Sequence, residues 1–93
     1  MSKEKTSADA RNIRKLVEEK KVIVGLDRTM KMLKQGKLAT IYMASNTEDS
    51  VKEDLGYYTK LNSTELILLN ESNEELGVVC KKPFLISVLG VVK

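Results

Sequence analysis

Segments with helical spacing alternate with short apolar runs along this 93-residue chain. Apolar residues three and four positions apart indicate one face of a helix, whereas a short apolar run between breakers indicates a buried strand. The predicted order is helix then strand, repeated four times with short connections. Such alternation favours a sheet covered by helices on both faces. We therefore predict a single α/β domain over residues 1–93, in which residues 1–6 form a polar N-terminal tail.

Turn and capping residues mark where these elements begin and end. Ser and Thr accept hydrogen bonds from the first helical amides, and glycine tolerates the left-handed backbone that ends many helices. The predicted signals are Thr6 or Ser7 before the first helix, Gly36 after the second, Thr47 before the third, and Ser72 with Glu75 before the fourth, which Pro83 would end. The third helix is predicted to bury Val51, Leu55, Tyr58 and Leu61, and strands are predicted at 22–24, 38–44, 66–69 and 84–92.

Composition excludes several kinds of chemical site. The chain has no histidine, which excludes metal sites of the usual His/Cys type and catalytic triads with an imidazole base. Its single cysteine, Cys80, excludes an intramolecular disulfide, and the two preceding valines predict a packed thiol in a reducing compartment. The phosphate-loop pattern G-x-x-x-x-G-K-[ST] and the dinucleotide pattern G-x-G-x-x-G are both absent. We therefore expect neither an enzyme nor a protein that holds a metal or cofactor.

The charge balance suits an anionic partner. The chain has 16 Lys and Arg against 13 Asp and Glu, a net charge of +3, which by itself does not establish RNA binding. The N-terminus is polar, and no stretch reaches the roughly 20 apolar residues of a membrane span. We expect a cytoplasmic protein.

Two junctions after predicted strands carry candidate binding residues. Gly25 lies where a strand meets a helix, so its missing side chain and the free amides of the helix start would admit a phosphate. A tight turn explains the same glycine equally well. Asn46 follows the next strand, at the sheet edge where ligands bind in open α/β folds. An asparagine there can also serve only its own turn.

The second helix, predicted over residues 26–35, carries a basic stripe. The basic residues Arg28, Lys31 and Lys34 and the polar Gln35 lie on the side away from Leu26, Met30 and Leu33. Such a stripe either contacts phosphates or is an ordinary solvated face. Both interpretations stay open on these residues alone.

Five segments stand in the order and spacing of a known family. They are residues 24–29 (VGLDRT), 35–37 (QGK), 44–46 (ASN), 52–58 (KEDLGYY) and 75–77 (ELG). Over nearly its whole length the chain resembles the archaeal and eukaryotic ribosomal protein L30e family, and we expect an archaeal source. The resemblance implies a three-layer α/β/α sandwich with a mixed four-stranded sheet. It also implies a structural protein of the large ribosomal subunit, monomeric in isolation, that contacts other ribosomal proteins and binds kink-turns, sharply bent RNA elements with tandem G·A pairs.

The resemblance assigns RNA contacts to three segments. They are Gly25, Leu26, Asp27, Arg28 and Lys31 at the second helix; Ser45 and Asn46 after the second strand; and Lys82, Phe84 and Ser87 before the end of the chain. Gly25 would admit the RNA backbone, and Arg28 and Lys31 would contact phosphates or base edges. Asn46 would bond a base, while Phe84 would pack on an unstacked nucleotide.

Two residues depart from the family pattern. Asp27 stands where relatives often carry asparagine or a basic residue, and we hypothesise that its carboxylate accepts hydrogen bonds from guanine N–H donors. Lys81 stands where the family usually has glycine, which leaves the shape of the following loop open.

Two other functions are considered beside the ribosomal one. A subunit of a guide RNA–protein particle for RNA modification or processing would favour Asn-Glu at positions 27 and 28, where this chain has Asp-Arg. A protein-interaction module with the same fold would be expected to lose the basic stripe, which this chain keeps.

Overall fold

The computed structural model describes residues 8–93, and within that range four helices and four strands follow the predicted alternating order. The helices are α1 (Ala8–Glu18), α2 (Leu26–Lys34), α3 (Asp49–Asn62) and α4 (Asn73–Val79). The strands are β1 (Val22–Val24), β2 (Leu38–Met43), β3 (Glu65–Leu68) and β4 (Val88–Val92). The capping role predicted for Thr6 or Ser7 lies outside the described residues. Across the part of the chain described, no helix is long and apolar enough to cross a membrane.

The strands form one mixed sheet in the order β1-β4-β2-β3. Strand β4 pairs antiparallel with both of its neighbours, so that Gly90 lies opposite Ile23 on one side and Ile41 on the other. Strands β2 and β3 run parallel, with Ile41 opposite Leu66. Strands β1, β2 and β3 therefore point the same way. Their carboxyl ends meet at one edge of the sheet, the edge at which β4 begins.

Helices cover both faces of this sheet, as predicted. Helices α1 and α4 pack on one face, where the buried residues include Ile13, Leu76 and Leu89, and helices α2 and α3 pack on the other, where they include Leu33, Leu55 and Val88. The neighbours Val88 and Leu89 reach opposite faces because successive strand side chains alternate. Removing one such aliphatic side chain from water stabilises the fold by about 1.5–3 kcal/mol. The three-layer α/β/α sandwich is confirmed.

All four described helices end in a Schellman motif, in which a left-handed residue follows the helix and the next amide donates to a carbonyl five residues back. The left-handed residues are Lys20 (φ 60°), Gly36 (φ 70°), Ser63 (φ 54°) and Lys81 (φ 58°). The amide bond is 3.0 Å from Lys21 to Leu16 after α1 and 2.9 Å from Lys82 to Gly77 after α4. Lys81 thus takes the backbone conformation that glycine adopts most easily. Helix α4 therefore ends in the same motif as the other described helices, although a lysine stands at the left-handed position.

The third helix differs from the prediction at both ends. It begins at Asp49 after the N-cap Glu48, and the hydroxyl of Thr47 donates instead to the Ser87 carbonyl at 3.2 Å. The predicted Thr47 cap is therefore wrong, because that hydroxyl joins two loops. Leu55 is buried, but Leu61 is 63% exposed. Its prediction as an inner residue is also wrong, since Thr59 is the residue that faces inward in the last turns.

The fourth helix begins as predicted and ends earlier. Ser72 Oγ accepts from the Glu75 amide at 3.2 Å, and Glu75 Oε1 accepts from the Ser72 amide at 2.8 Å, which confirms the capping box. The helix ends at Val79, well before Pro83, because the backbone turns left-handed at Lys81. Pro83 is therefore not the residue that ends it.

Cys80, the residue that follows α4, is buried as predicted. Burial raises the pKa of the Cys80 thiol, and the positive charge of Lys82 opposes this only in part.

Three of the predicted strands are less buried or shorter than the sequence suggested. Strands β1 and β3 are the edges of the sheet, so their side chains are only partly covered, and Leu68 is 55% exposed. Residues 84–87 form a loop, and β4 begins only at Val88. The predicted start of this strand at residue 84 is therefore wrong. It was based on apolar composition, but Phe84 and Leu85 are exposed rather than packed in a strand.

Candidate nucleic-acid interface

Three loops meet at the sheet edge where β1, β2 and β3 end. The first is the β1–α2 junction at Gly25, the second is the β2–α3 loop at residues 44–48, and the third is the α4–β4 loop at residues 80–87. These segments lie far apart in sequence, but β1 and β2 end, and the antiparallel strand β4 begins, at the same end of the sheet. All ten residues predicted to contact RNA lie in these loops or in α2.

Gly25 occupies a backbone conformation that a side chain would strain. Its φ is 106° and its ψ is 145°, in a region populated almost only by glycine. Its amide donates to the Val88 carbonyl at 3.0 Å, which holds the junction against the start of β4. Apart from its two neighbours in the chain, no described residue has an atom within 4 Å of the place where a Cβ would stand. Gly25 therefore makes a tight turn and also leaves open space beside the start of α2, the two roles that the sequence left as alternatives.

The start of α2 offers free amides next to this glycine. No side chain of the described residues caps it, so its first N–H groups remain available to a ligand. Asp27 is exposed in this first turn, where the helix dipole stabilises a carboxylate. Arg28 and Lys31 are exposed along the same helix. Lys34 extends the stripe toward α3, and its Nζ lies 4.8 Å from the centre of the Tyr58 ring.

The Asn46 side chain bonds to the start of helix α4 rather than to its own turn. Its Oδ1 accepts from the Asn73 amide at 2.9 Å, and its Nδ2 donates to the Asn73 Oδ1 at 3.1 Å. An asparagine amide carries two hydrogens and two lone pairs. One hydrogen and one lone pair therefore remain for a partner, on a side chain whose orientation is already fixed. Beside it, the Ser45 amide donates to the Glu71 carbonyl at 2.8 Å.

The α4–β4 loop is held against α4 at close range. A Cβ on Gly77 would lie far inside van der Waals contact with the Phe84 carbonyl oxygen, so only glycine permits this approach. The amide of Ile86 donates to the Asn73 carbonyl at 3.0 Å, and Ile86 is buried. Between these anchors Phe84 and Leu85 are 54% and 61% exposed. The loop thus presents two large apolar side chains on a fixed backbone.

These loops enclose two adjoining clefts. The central cleft, of about 400 Å³, lies between the start of α2 and the β2–α3 loop; its lining includes Gly25, Leu26, Asn46, Glu48, Asn73, Leu85 and Ser87. The side cleft, of about 460 Å³, lies between β1 and the α4–β4 loop; its lining includes Lys20, Val22, Val24, Gly25, Arg28, Lys82, Phe84 and Leu85. Gly25 and Leu85 line both, so the two clefts adjoin at these residues.

The predicted residues divide between these clefts. Gly25, Leu26, Asn46 and Ser87 line the central cleft, and Arg28, Lys82 and Phe84 line the side cleft with Gly25. Asp27, Lys31 and Ser45 are exposed close by in sequence but line neither.

Sequence reasoning missed several residues of the clefts, among them Leu85 in both, Glu48 and Asn73 in the central cleft, and Lys20 in the side cleft. Leu85 gave no signal, because an aliphatic residue beside β-branched ones is typical of a buried strand. Glu48 and Asn73 were detectable only as residues near helix starts.

Comparison with known proteins gives a consistent result over most of the chain. Residues 8–93 match the model of the Ribosomal protein L7Ae/L30e/S12e/Gadd45 family. The large ribosomal subunit protein eL30 of Methanothermobacter thermautotrophicus is 42% identical over 85% of this chain and 81% of its own length. The eL30 protein of Sulfolobus acidocaldarius is 35% identical over 86% of this chain and 77% of its own length.

Two solved structures share the fold at low sequence identity. The Giardia lamblia 15.5kD RNA binding protein superposes with a TM-score of 0.82 at 16% identity, covering 100% of this chain and 78% of that one. A protein of unknown function from Bacillus halodurans C also has a TM-score of 0.82, at 15% identity, covering 94% of this chain and 87% of that one. At such identities the likeness concerns the fold alone.

Proposed function

Since this chain belongs to the ribosomal protein L7Ae/L30e/S12e/Gadd45 family, we propose that it is a structural constituent of the large ribosomal subunit that binds ribosomal RNA. The eL30 names of its relatives support the ribosomal assignment. In this role residues 1–93 act as one RNA-binding domain, monomeric in isolation, on the ribosome in the cytoplasm. The protein contacts neighbouring ribosomal proteins and carries out no catalysis.

The RNA element that we propose is a kink-turn. A sharply bent RNA brings phosphates, base edges and an unstacked nucleotide close together, and the three loops offer one kind of group to each. The open helix start at Gly25 suits a phosphate. The fixed amide of Asn46 suits a base edge, and the exposed ring of Phe84 suits a nucleotide that has left its stack. These contacts would then distinguish a kink-turn from other RNA. The charges of Arg28 and Lys31 would add a salt-dependent contribution to the affinity.

The observation that carries this proposal is the clamp between Asn46 and Asn73. It fixes an exposed amide at the edge of the central cleft before any ligand arrives. A side chain held in this way loses little conformational entropy on binding. The protein therefore selects RNA that is already bent, or traps it when it bends, through groups that need not rearrange.

The test compares two RNAs in a binding titration with the purified chain. One is a kink-turn, and the other is the same RNA with its tandem G·A pairs replaced by Watson–Crick pairs. We expect a preference for the kink-turn of at least ~2 kcal/mol, about thirtyfold. Equal and weak binding to both RNAs, governed only by salt, would contradict the proposal and favour a protein-interaction module.

The variant Asn46→Asp tests the role of the amide. The new carboxylate can still accept from the Asn73 amide but has no N–H to donate, so we expect affinity for the kink-turn to fall at least about tenfold. Asn70→Asp is the matched control, because Asn70 is exposed, lines neither cleft and undergoes the same change of charge. A loss of equal size in both variants would show that charge, not the donor, is responsible.

A further inference from the structure

The segment KEDLGYY at residues 52–58 contributes to the family resemblance, but none of the RNA contacts assigned to the three loops and α2 involves it. It forms the middle of α3, and its exposed residues line neither cleft. Tyr57 is 61% exposed, and Leu61, one turn further on, is 63% exposed. Single exposed apolar residues are common on protein surfaces. Two large ones a turn apart on one helix form an apolar surface that another molecule can cover.

Tyr57 points away from the sheet. It comes two residues after the fully buried Leu55, so it lies about 160° around the helix from that core residue. Glu53 and Leu61 are four residues from Tyr57, and Asp54 is three residues from it, so these exposed side chains project from one side of α3. We call Glu53, Asp54, Tyr57 and Leu61 the outer face of α3.

The ring of Tyr57 is held in place by its neighbour. Its centre lies 5.1 Å from that of the Tyr58 ring, and the two planes meet at 80°, an edge-to-face arrangement. Tyr58 is itself half-buried against the core, and Lys34 Nζ lies 4.8 Å from its ring centre. Tyr58 thereby restricts the rotation of the Tyr57 side chain. Less conformational entropy is lost when a partner packs on a side chain that is already restricted.

The outer face of α3 is acidic, although the chain has a net charge of +3. Glu53 and Asp54 stand beside Tyr57, and among the described residues neither carboxylate takes part in an ion pair. Lys60 lies in the last turn of α3, where the helix dipole stabilises a positive charge. Helix α2, on the same face of the sheet, carries the basic stripe instead. Phosphates are therefore attracted to α2 and repelled from α3, whose outer face suits a cationic partner.

We propose that the outer face of α3 docks an arginine-containing segment of a neighbouring ribosomal protein. An arginine guanidinium stacks on an aromatic ring and forms paired hydrogen bonds with a carboxylate, and Tyr57 and Asp54 offer both groups one turn apart. An aliphatic residue of the same segment packs on Leu61. This inference rests on the proposed function, because it gives the surface and the chemistry of one of the protein contacts proposed there.

The outer face is placed so that protein and RNA can bind at the same time. Helix α3 begins at the sheet edge where the three loops meet, and it runs away from that edge. Leu61 comes 12 residues after Asp49, so it lies about 18 Å along the helix from the first turn. A segment on the outer face therefore does not obstruct the clefts.

A second copy of this chain fits the outer face less well. A symmetric dimer would bring two copies of Glu53 and Asp54 together, and like charges repel. The face is also small, since it comprises about two turns of one helix, whereas a stable complex buries roughly 800 Å² per partner. The partner segment is therefore held nearby by a further contact, such as the shared RNA, and the outer face alone binds it weakly.

The test is an amide chemical-shift titration of the isotope-labelled full chain with three capped peptides, GRLGRLGRLG, GKLGKLGKLG and GELGELGELG. We expect the arginine peptide to shift the amides of residues 53–61 with a Kd on the order of 1 mM or below. The lysine peptide should bind at least about threefold more weakly, because an ammonium group cannot stack on a ring and pair with a carboxylate as a guanidinium does. The glutamate peptide should leave these amides unshifted.

Variants separate the contact with the ring from the effect of charge. Tyr57→Ala should weaken binding of the arginine peptide at least about fivefold, whereas Tyr57→Phe keeps the ring and should stay within about twofold of wild type. Asp54→Asn should weaken it about threefold. The matched controls are Val78→Ala and Glu74→Gln, which remove an exposed apolar group and an exposed acid from α4. Each control should stay within about twofold of wild type. Circular dichroism verifies that every variant is folded.

Several results would overturn the inference. They are an unchanged peptide affinity in Tyr57→Ala, the absence of shifts at residues 53–61, and shifts of equal size around Glu74 and Val78, which would mean that charge alone attracts the peptide. A loss of kink-turn affinity in Tyr57→Ala would assign the outer face to RNA instead. Shifts of this face that grow with protein concentration alone would assign it to a second copy.

The outcome is separable from the fate of the proposed function. Kink-turn preference is the ratio of two RNA affinities for the wild type, measured without any peptide. The role of the outer face is the ratio of peptide affinities between variants, measured without any RNA.

Discussion

Gly77→Ala should displace the α4–β4 loop of the proposed RNA-binding surface, although Gly77 itself is buried and does not belong to that surface. Gly77 is buried in α4, and its missing side chain lets the Phe84 carbonyl approach the helix. A Cβ there would overlap that carbonyl oxygen and would lie 3.4 Å from the Phe84 carbonyl carbon. The obstructing atoms belong to the backbone, so no side-chain rotation relieves the overlap. The loop from Lys82 to Ile86 must move outward by roughly 1 Å to restore normal contact.

The loss of folding stability can be estimated from the backbone hydrogen bonds that hold this loop. They are the bond from Lys82 to Gly77 at 2.9 Å and the bond from Ile86 to Asn73 at 3.0 Å. Straining or breaking both costs about 2–3 kcal/mol, and the better helix propensity of alanine returns up to ~1 kcal/mol. We expect a net destabilisation of about 1–2 kcal/mol. For a chain of this size the melting temperature falls by roughly 5–15 °C.

Gly56→Ala is the matched control. Gly56 lies in the middle of α3, and apart from its chain neighbours and the backbone of its own helix, no described residue has an atom within 4 Å of the place where its Cβ would stand. The same substitution should therefore raise stability by up to ~1 kcal/mol and leave RNA affinity unchanged. Thermal unfolding followed by circular dichroism measures the stability of both variants. A kink-turn titration at a temperature where both variants are folded measures their RNA affinity. If Gly77→Ala stabilised the protein as Gly56→Ala does, the close approach of the loop would be refuted.

Three further substitutions test single contacts, each by denaturant unfolding. Thr29→Val should stabilise the fold by about 1 kcal/mol, because Thr29 Oγ1 is fully buried and has no hydrogen-bond partner among the described residues. Thr59→Val should not stabilise it, since Thr59 Oγ1 donates to the Leu55 carbonyl at 2.7 Å; equal gains would refute the distinction. Ser63→Gly should stabilise by up to ~1 kcal/mol by relieving the left-handed backbone at φ 54°, and an unchanged midpoint would count against that strain. Burial raises the pKa of the Cys80 thiol above its ordinary value of 9.0, so folding favours the protonated form. The contribution of the protonated Cys80 thiol to the free energy of unfolding is fully present below pH 9. It is lost as the pH rises through 9 toward the folded-state pKa, and this loss should be absent in Cys80→Ala.

The alternation of helices and strands was predictable because it depends on local patterns. Leu26, Met30 and Leu33 repeat at helical spacing, and the capping box of Ser72 and Glu75 forms between residues three apart. Such patterns involve residues close together in sequence, so they can be detected without knowledge of the fold. The candidate residues Gly25 and Asn46 were found in the same way, from their positions directly after strands.

Local sequence patterns were therefore sufficient to predict the element order, the α/β class and the residue types at the ends of the strands. Which side chains are covered and which loops meet depends on contacts between distant parts of the chain. Leu61, Leu68 and Leu85 are apolar in sequence yet exposed, because burial depends on elements far along the chain that do or do not cover them. The clamp between Asn46 and Asn73 and the two clefts exist only because three strands end at one edge of the sheet. That common direction follows from the antiparallel pairing of β4 with β1 and β2 and from the parallel pairing of β3 with β2. Long-range pairing of this kind produces no periodic pattern in a sequence.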